Sequence, residues 1–283
     1  MTPPRDVGHL IGMTVALSWL DGEQATDELA AIGFGAIEVH LRQIGPALVG
    51  PSVLEAHAAA MGALIEGRSL VPSSLNAAGE PGFEPIAGDW EGSVGVLAHQ
   101  LRLAAALGAP RLICWDGRLG ESQATRAPIR LAEAIEAARD RSGLQDPPAV
   151  SVEFHPFTFA LAAGQLLETA HALDEIGAGI CLDFCHFGVA LGPGFATSLG
   201  TDVLAATNHV HLADSDCCTS ELHAPLGAGV LAVDEIAGMF GGRPVALAWD
   251  LFGWPAARQA MRDGLPRYRE IMSVHRSSLG MAS

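Results

Sequence analysis

The chain contains no lysine, and all 16 of its basic residues are arginine. Chemistry that runs through a lysine amine is excluded with it, which removes Schiff-base aldolases, pyridoxal-phosphate enzymes and Walker-A nucleotide hydrolases. Positive charge is scarce overall: 32 acidic residues against 16 basic ones leave a formal net charge of −16. That balance repels phosphate backbones and anionic lipid surfaces, so neither nucleic acid nor a membrane is an expected partner. Long apolar runs are missing as well, since no segment reaches the roughly 18 uninterrupted apolar residues of a spanning helix. The opening MTPPRDVGHLIGMTVALSWLDG has one arginine ahead of a short apolar run and no basic region leading to a cleavage site, so no signal peptide is expected. Only five cysteines occur (Cys114, Cys181, Cys185, Cys217 and Cys218), an odd, unevenly spaced set without a Cys-x-x-Cys pair. A chain this large needs no disulfide staples, and reduced thiols in a cytoplasmic protein are expected.

What is present is apolar material for a large core. The 283 residues are 49% hydrophobic and 17% charged, with 33 glycines, which places the chain among compact globular proteins. Short β-rich segments recur at Leu10–Leu17, Ala36–Leu41, Ser69–Val71, Arg111–Trp115, Val150–His155, Ile180–Phe184, His209–Ala213 and Val245–Phe252. Each is followed by room for a helix, and helical periodicity is clearest over Pro51–Ile65, Val94–Leu107, Ala124–Arg141, Ala160–Ile176 and Ala256–Ile271. Val71–Glu84 and Gly192–Thr201 read as loops, not linkers. Eight βα units without a break predict an α/β chain folded as a single (β/α)8 TIM barrel domain over residues 1–283.

In a closed barrel every second strand residue faces the axis. Ser151, Glu153 and His155 then share one face, as do Ala36, Glu38 and His40; Cys181 and Asp183; His209 and His211; and Ala246, Ala248 and Asp250. Except in the seventh strand, small residues come first and ionisable ones last. Because active sites of this fold lie at the C-terminal strand ends, Glu38, His40, Glu153, Asp183, His211 and Asp250 converge on one mouth. Converging carboxylates repel one another unless a cation lies among them, and a bound divalent metal is the simplest account. Three carboxylates and an imidazole suit Mn²⁺ or Mg²⁺, with Co²⁺ and Zn²⁺ also admitted.

The segments Ile37-Glu38-Val39-His40, Val152-Glu153-Phe154-His155, Leu182-Asp183-Phe184-Cys185-His186, His209-Val210-His211-Leu212-Ala213-Asp214 and Leu226-Gly227-Ala228-Gly229 together resemble the xylose isomerase-like TIM barrel superfamily of sugar isomerases and epimerases. The resemblance is to ketose 3-epimerases and inosose dehydratases, in which Glu, Asp, His and Glu from strands five to eight hold one divalent metal. It implies Glu153, Asp183, His211 and Asp250 as ligands here, with Asp250 departing from the usual Glu. It also implies His186 as a substrate-binding histidine and His155 as a neighbour of the first ligand. Glu221-Leu222-His223 resembles an Asp-x-His element of the endonuclease IV branch, so His223 can enter the site. That branch also needs histidines on strands three and four, where this chain has Val71-Pro72-Ser73 and Cys114-Trp115-Asp116. A DNA-repair role is therefore not expected. True xylose isomerases use a lysine at the substrate carbonyl, which this chain lacks.

The expected activity is metal-assisted proton abstraction next to a carbonyl of a ketose or polyol-derived ketone, by a metal-dependent sugar isomerase or epimerase. Glu153 and Asp250 are the candidate general base and acid. His40, His155, His186, His223 and Trp115 are the candidate substrate contacts. His209, one pleat deeper, is expected to be a hydrogen-bonded core residue, and Trp249 to pack outward. Arg42 and Arg118 are the only arginines placed in mouth loops, with no phosphate clamp, which favours a neutral sugar or polyol. A dehydratase working through the same enediolate and a non-catalytic metal- or sugar-binding barrel are the alternatives. A homodimer is expected only from the general frequency of such assemblies.

Overall fold

A computed structural model describes residues 6–45, 50–86, 88–118, 126–162 and 164–281. Eight parallel strands close into a barrel in sequence order: β1 Ile11–Met13, β2 Ala36–His40, β3 Val71–Asn76, β4 Arg111–Trp115, β5 Ala149–Glu153, β6 Gly179–Asp183, β7 Thr207–Leu212 and β8 Ala246–Trp249. The helices are α1 Gly22–Ile32, α2 Pro51–Gly67, α3 Trp90–Leu107, α4 Ala127–Ser142, α5 Phe159–Ala162, α6 Leu166–Glu175, α7 Phe184–Leu191, α8 Thr201–Ala206, α9 Val233–Gly238 and α10 Ala257–Ser278. Among the described residues no helix is long and apolar enough to cross a membrane.

The strand alternation divides the apolar residues into two clusters. Outward-facing Val150, Val152, Ile180, Leu182, Val210, Leu212, Leu247 and Trp249 join the helices in one large core. Inside the barrel, Ile11, Met13, Ala36, Ala246 and Ala248 form a second, smaller cluster. Inward positions of β3, β5, β6 and β7 carry mainly polar side chains instead, among them Ser74, Asn76, Ser151, Glu153, Asp183, His209 and His211, all buried.

Trp249 packs outward as the alternation implies, 5.3 Å from Tyr268 and 6.3 Å from Phe34 between ring centroids. Tyr268, on α10, fastens the seam where the barrel closes. Its hydroxyl accepts from the Ile11 N–H at 3.0 Å and donates to the Leu247 carbonyl at 2.5 Å, joining β1 to β8.

Several expected boundaries are corrected. The third strand is not Ser69–Val71 but runs on through Val71–Asn76, into a segment whose proline signalled a loop. Pro72 is accommodated because a bulge interrupts the β2–β3 register between Ile37 and Glu38, pairing Ile37 with Pro72 and Glu38 with Ser74. The first strand stops at Met13 and continues as a 3₁₀ turn over Thr14–Leu17, and the eighth ends at Trp249. The single helix expected over Ala160–Ile176 is two, α5 and α6, separated around Gly164, whose φ is +66°. The loop expected over Gly192–Thr201 contains a 3₁₀ turn at Phe195–Ser198. The first two residues of the helix expected over Ala124–Arg141 lie outside the described residues.

Candidate active site

The C-terminal strand ends open into a cavity of about 770 Å³ whose lining includes His40, Trp115, Glu153, His155, His186, His223 and Asp250. Every residue expected to be catalytic or substrate-binding therefore faces one space. Asp183 and His211 lie beneath it, fully buried.

Local structure accounts for each position. Glu153 and Asp183 are the last residues of β5 and β6. Asp183 is also the N-cap of α7, where its Oδ1 accepts the His186 N–H at 2.8 Å. The Asp-x-x-His motif is thus a capping turn that sets His186 beside the carboxylate that caps it. His211 pairs in register with Asp183 across β6 and β7. Beyond β7, Asp214 organises the loop that carries His223 by accepting N–H groups of Ser215 (2.8 Å), Gly227 (3.0 Å) and Leu231 (3.0 Å). Gly229 passes so close to Asp214 and Ser215 that no Cβ would fit, which explains the glycine in that turn. The His223 backbone N–H donates to the Phe252 carbonyl at 3.0 Å. Asp250 follows β8, its Oδ1 accepting the Phe252 N–H at 2.7 Å.

The side chains form two centres. In the first, ligand-type atoms of Glu153, Asp183 and His211 all lie within 4.8 Å of one another. His211 Nδ1 is 2.9 Å from Glu153 Oε1 and 3.5 Å from Asp183 Oδ2. In the second, His223 Nδ1 is 2.7 Å from Asp250 Oδ2, and its Nε2 is 3.8 Å from Asp183 Oδ1. Of the four expected ligands, three come together, while Asp250 is turned to His223 and belongs to no such group among the described residues. His155 and His186 stack with centroids 4.1 Å apart, His186 Nδ1 being 3.6 Å from Glu153 Oε1. Trp115 is fixed by its indole N–H, which donates to the Phe83 carbonyl at 2.9 Å.

Burial opposes charge on all of these groups, and their mutual attraction reverses it at several. Burial pushes His211 down, but the surrounding Glu153 and Glu38 carboxylates hold it well above its ordinary value. His223 is likewise raised, with Asp250 and Asp183 outweighing its burial. Glu153 is held below the usual carboxylate range despite burial, chiefly by His211. His186 and His40 go the other way, burial pushing each down to about 4.

These charges test whether a cation fits. Glu38, Glu153, Asp183 and Asp250 are each at most 4% exposed. Positive charge on both His211 and His223 still leaves two of the four carboxylates uncompensated, and Asp183 Oδ2 has no hydrogen-bond partner. A buried excess of two negative charges beside three converging oxygen and nitrogen ligands suits a divalent ion.

Three features escape the sequence pattern. Ser74 and Asn76 hold Glu38 from β3, at 2.6 and 2.9 Å; the bulge after Pro72 shifts the period by one residue and so hides them from strict alternation. At the rim, Glu80 meets Arg42 at 2.5 Å and lies 3.8 Å from His40. Glu221 is 3.8 Å from His155. His209 is the buried core residue expected of it, 2.8 Å from Glu38.

The fold and site together define an α/β barrel with a metal-capable cluster at its C-terminal mouth. The family described as xylose isomerase-like TIM barrel matches residues 26–263, and the chain belongs to that family. A search of curated protein sequences found no match. Among solved structures, L-ribulose 3-epimerase superposes with a TM-score of 0.70 at 13% identity, over 96% of this chain and 97% of that one. The probable 3-DHS dehydratase AsbF from Bacillus anthracis gives 0.67 at 14% identity, over 91% and 97%. Endonuclease IV from Thermus thermophilus gives 0.63 at 20% identity, over 94% and 99%. At these identities the likeness is one of fold.

Proposed function

We propose that the protein is a divalent-metal-dependent isomerase or epimerase that moves a proton next to the carbonyl of a small sugar or polyol-derived ketone. The observation that carries this reading is the Glu153, Asp183 and His211 cluster, within 4.8 Å, at the base of the cavity. Those three residues would hold the ion, and Mn²⁺ or Mg²⁺ suits their oxygen-rich set. When bound, such an ion draws electron density from the substrate carbonyl and so acidifies the neighbouring C–H.

The chain's own groups do the rest. Glu153, at the cavity wall, takes the proton from carbon, and Asp250 is the second proton-carrying carboxylate, held in place by His223 at 2.7 Å. His186 and His155, kept close by their stacking, orient substrate hydroxyls beside Glu153. Trp115 closes the wall and excludes water. Of the two arginines that line the cavity among the described residues, Arg42 is already neutralised by Glu80, and the single remaining guanidinium, Arg118, makes no two-armed phosphate clamp, which supports an uncharged substrate over a sugar phosphate.

The test is a panel of ketoses and ketopolyols incubated in D₂O with protein loaded with Mn²⁺ or Mg²⁺. Deuterium is expected at the carbon beside the carbonyl, and Glu153→Gln and Asp250→Asn are each expected to abolish its entry. Metal-loaded protein that exchanges no substrate proton in the panel would overturn the assignment, and a dehydrated product would change the reaction type.

A further inference from the structure

A buried polar chain crosses the barrel from its N-terminal floor to the candidate metal cluster. At the floor, Arg111 Nη1 donates to Asp6 Oδ2 at 2.9 Å and lies 3.3 Å from His209 Nδ1. His209 Nε2 is 2.8 Å from Glu38 Oε2, and Glu38 Oε1 is 3.0 Å from His211 Nε2. His211 Nδ1 then faces Glu153 and Asp183.

Two groups in this chain can only donate, and they fix the remaining hydrogens. The guanidinium of Arg111 has no lone pair to offer, so His209 Nδ1 must accept and His209 Nε2 must carry the ring hydrogen, lying 2.8 Å from Glu38 Oε2 without aligning a hydrogen bond to it. The Ala78 backbone N–H donates to Asn76 Oδ1 at 2.9 Å, so the Asn76 amide must turn its NH₂ to Glu38 Oε1. Ser74 gives its hydroxyl to Oε2. Glu38 is therefore a carboxylate already receiving two hydrogen bonds, with the His209 Nε2–H 2.8 Å from its Oε2. A lone pair on His211 Nε2 would face it at 3.0 Å with no hydrogen between them.

We propose that Glu38 is a positioning residue that fixes the tautomer of His211 when the metal ion is bound: Nε2 keeps its hydrogen and donates to Glu38, so that the hydrogen given up to the ion is the one on Nδ1, whose lone pair then points between Glu153 and Asp183. The inference rests on the metal-centre reading above and adds a residue with no contact to substrate. Its physical basis is general, because the partner of one imidazole nitrogen decides which nitrogen can ligate.

Two measurements decide it. Mn²⁺ affinity is measured calorimetrically for the wild type, Glu38→Gln and Asp183→Asn. A glutamine must turn its NH₂ toward a group that can only donate, Asn76 and His211 at the Oε1 position or His209 at the Oε2 position, where Ser74 alone can turn to accept, so Glu38→Gln is expected to weaken Mn²⁺ binding by about 10–100-fold. Undiminished affinity in Asp183→Asn would sink the metal centre itself. Loss in Asp183→Asn with wild-type affinity in Glu38→Gln would sink only the role of Glu38. The second measurement is the ¹⁵N spectrum of the histidine rings in Zn²⁺-loaded wild-type protein, with His211 assigned by comparison with His211→Asn. A hydrogen on His211 Nε2 and a metal-shifted Nδ1 are expected; the reverse tautomer overturns the proposal, and this readout holds even where Glu38→Gln fails to fold.

Discussion

Replacing Arg111 with methionine removes the cation that, among the described residues, faces Asp6 at the barrel floor. Both side chains are almost wholly buried, at 4% and 0% exposure. In the variant, Asp6 Oδ2 keeps only the Ser73 hydroxyl at 2.9 Å, and Oδ1 has no hydrogen-bond partner to begin with. Breaking a buried ion pair from one side costs about 3–5 kcal/mol, because it strands the other charge. At about 2–4 °C per kcal/mol for chains approaching this size, Tm should fall by roughly 6–20 °C. Methionine fills much of the arginine's stem volume, so little of that loss comes from a cavity. The double variant Asp6→Asn with Arg111→Met removes the stranded charge yet leaves an acceptor for Ser73, and should recover most of the stability. Urea unfolding at pH 7 measures all three as shifts in midpoint at constant slope. A single variant within about 1 kcal/mol of wild type, or a double variant no better than the single, would refute the reasoning.

Two further outcomes are expected. Burial pushes the Asp116 carboxyl up to about 7, so the fold favours its protonated form. The stability it contributes is whole below the unfolded value of about 4 and drains away as pH rises toward 7. Asp116→Asn cannot ionise, so urea midpoints at pH 5 and pH 8 should show the variant gaining on wild type at the higher pH; parallel pH profiles would exclude this. Tyr268→Phe leaves the buried Ile11 N–H without the acceptor it has at 3.0 Å, and should lower stability by about 1–3 kcal/mol in the same unfolding assay. An unchanged midpoint would mean that the seam does not depend on the hydroxyl.

The barrel was legible because its strands carry apolar residues on one face and small or ionisable ones on the other, a period of two that survives without any structure. The same alternation put Glu153, Asp183, His211 and Asp250 at one mouth. It failed where backbone irregularity broke the period. The bulge opposite Pro72 puts two consecutive serines to use inside the barrel, Ser73 on Asp6 and Ser74 on Glu38, and no strict alternation predicts that. Glu38 was visible as an inward carboxylate, but its partners depend on the register of that bulge. The turn of Asp250 toward His223 was equally hidden, since the loop bearing His223 is shaped by Asp214 contacts spanning up to 17 residues.

The seam held by Tyr268 has a consequence in time. β1 is made well before its second neighbour, β8, and the hydroxyl that joins them, which come 235 or more residues later in synthesis. At about 5–20 residues per second, the 255 residues between Met13 and Tyr268 take roughly 13–51 s to make. Throughout that interval one edge of the growing sheet has unpaired backbone groups open to other chains. Nascent chains stalled before β8 should therefore associate through that edge, whereas chains released after α10 should not, and crosslinking from a probe at Gly12 would register the difference.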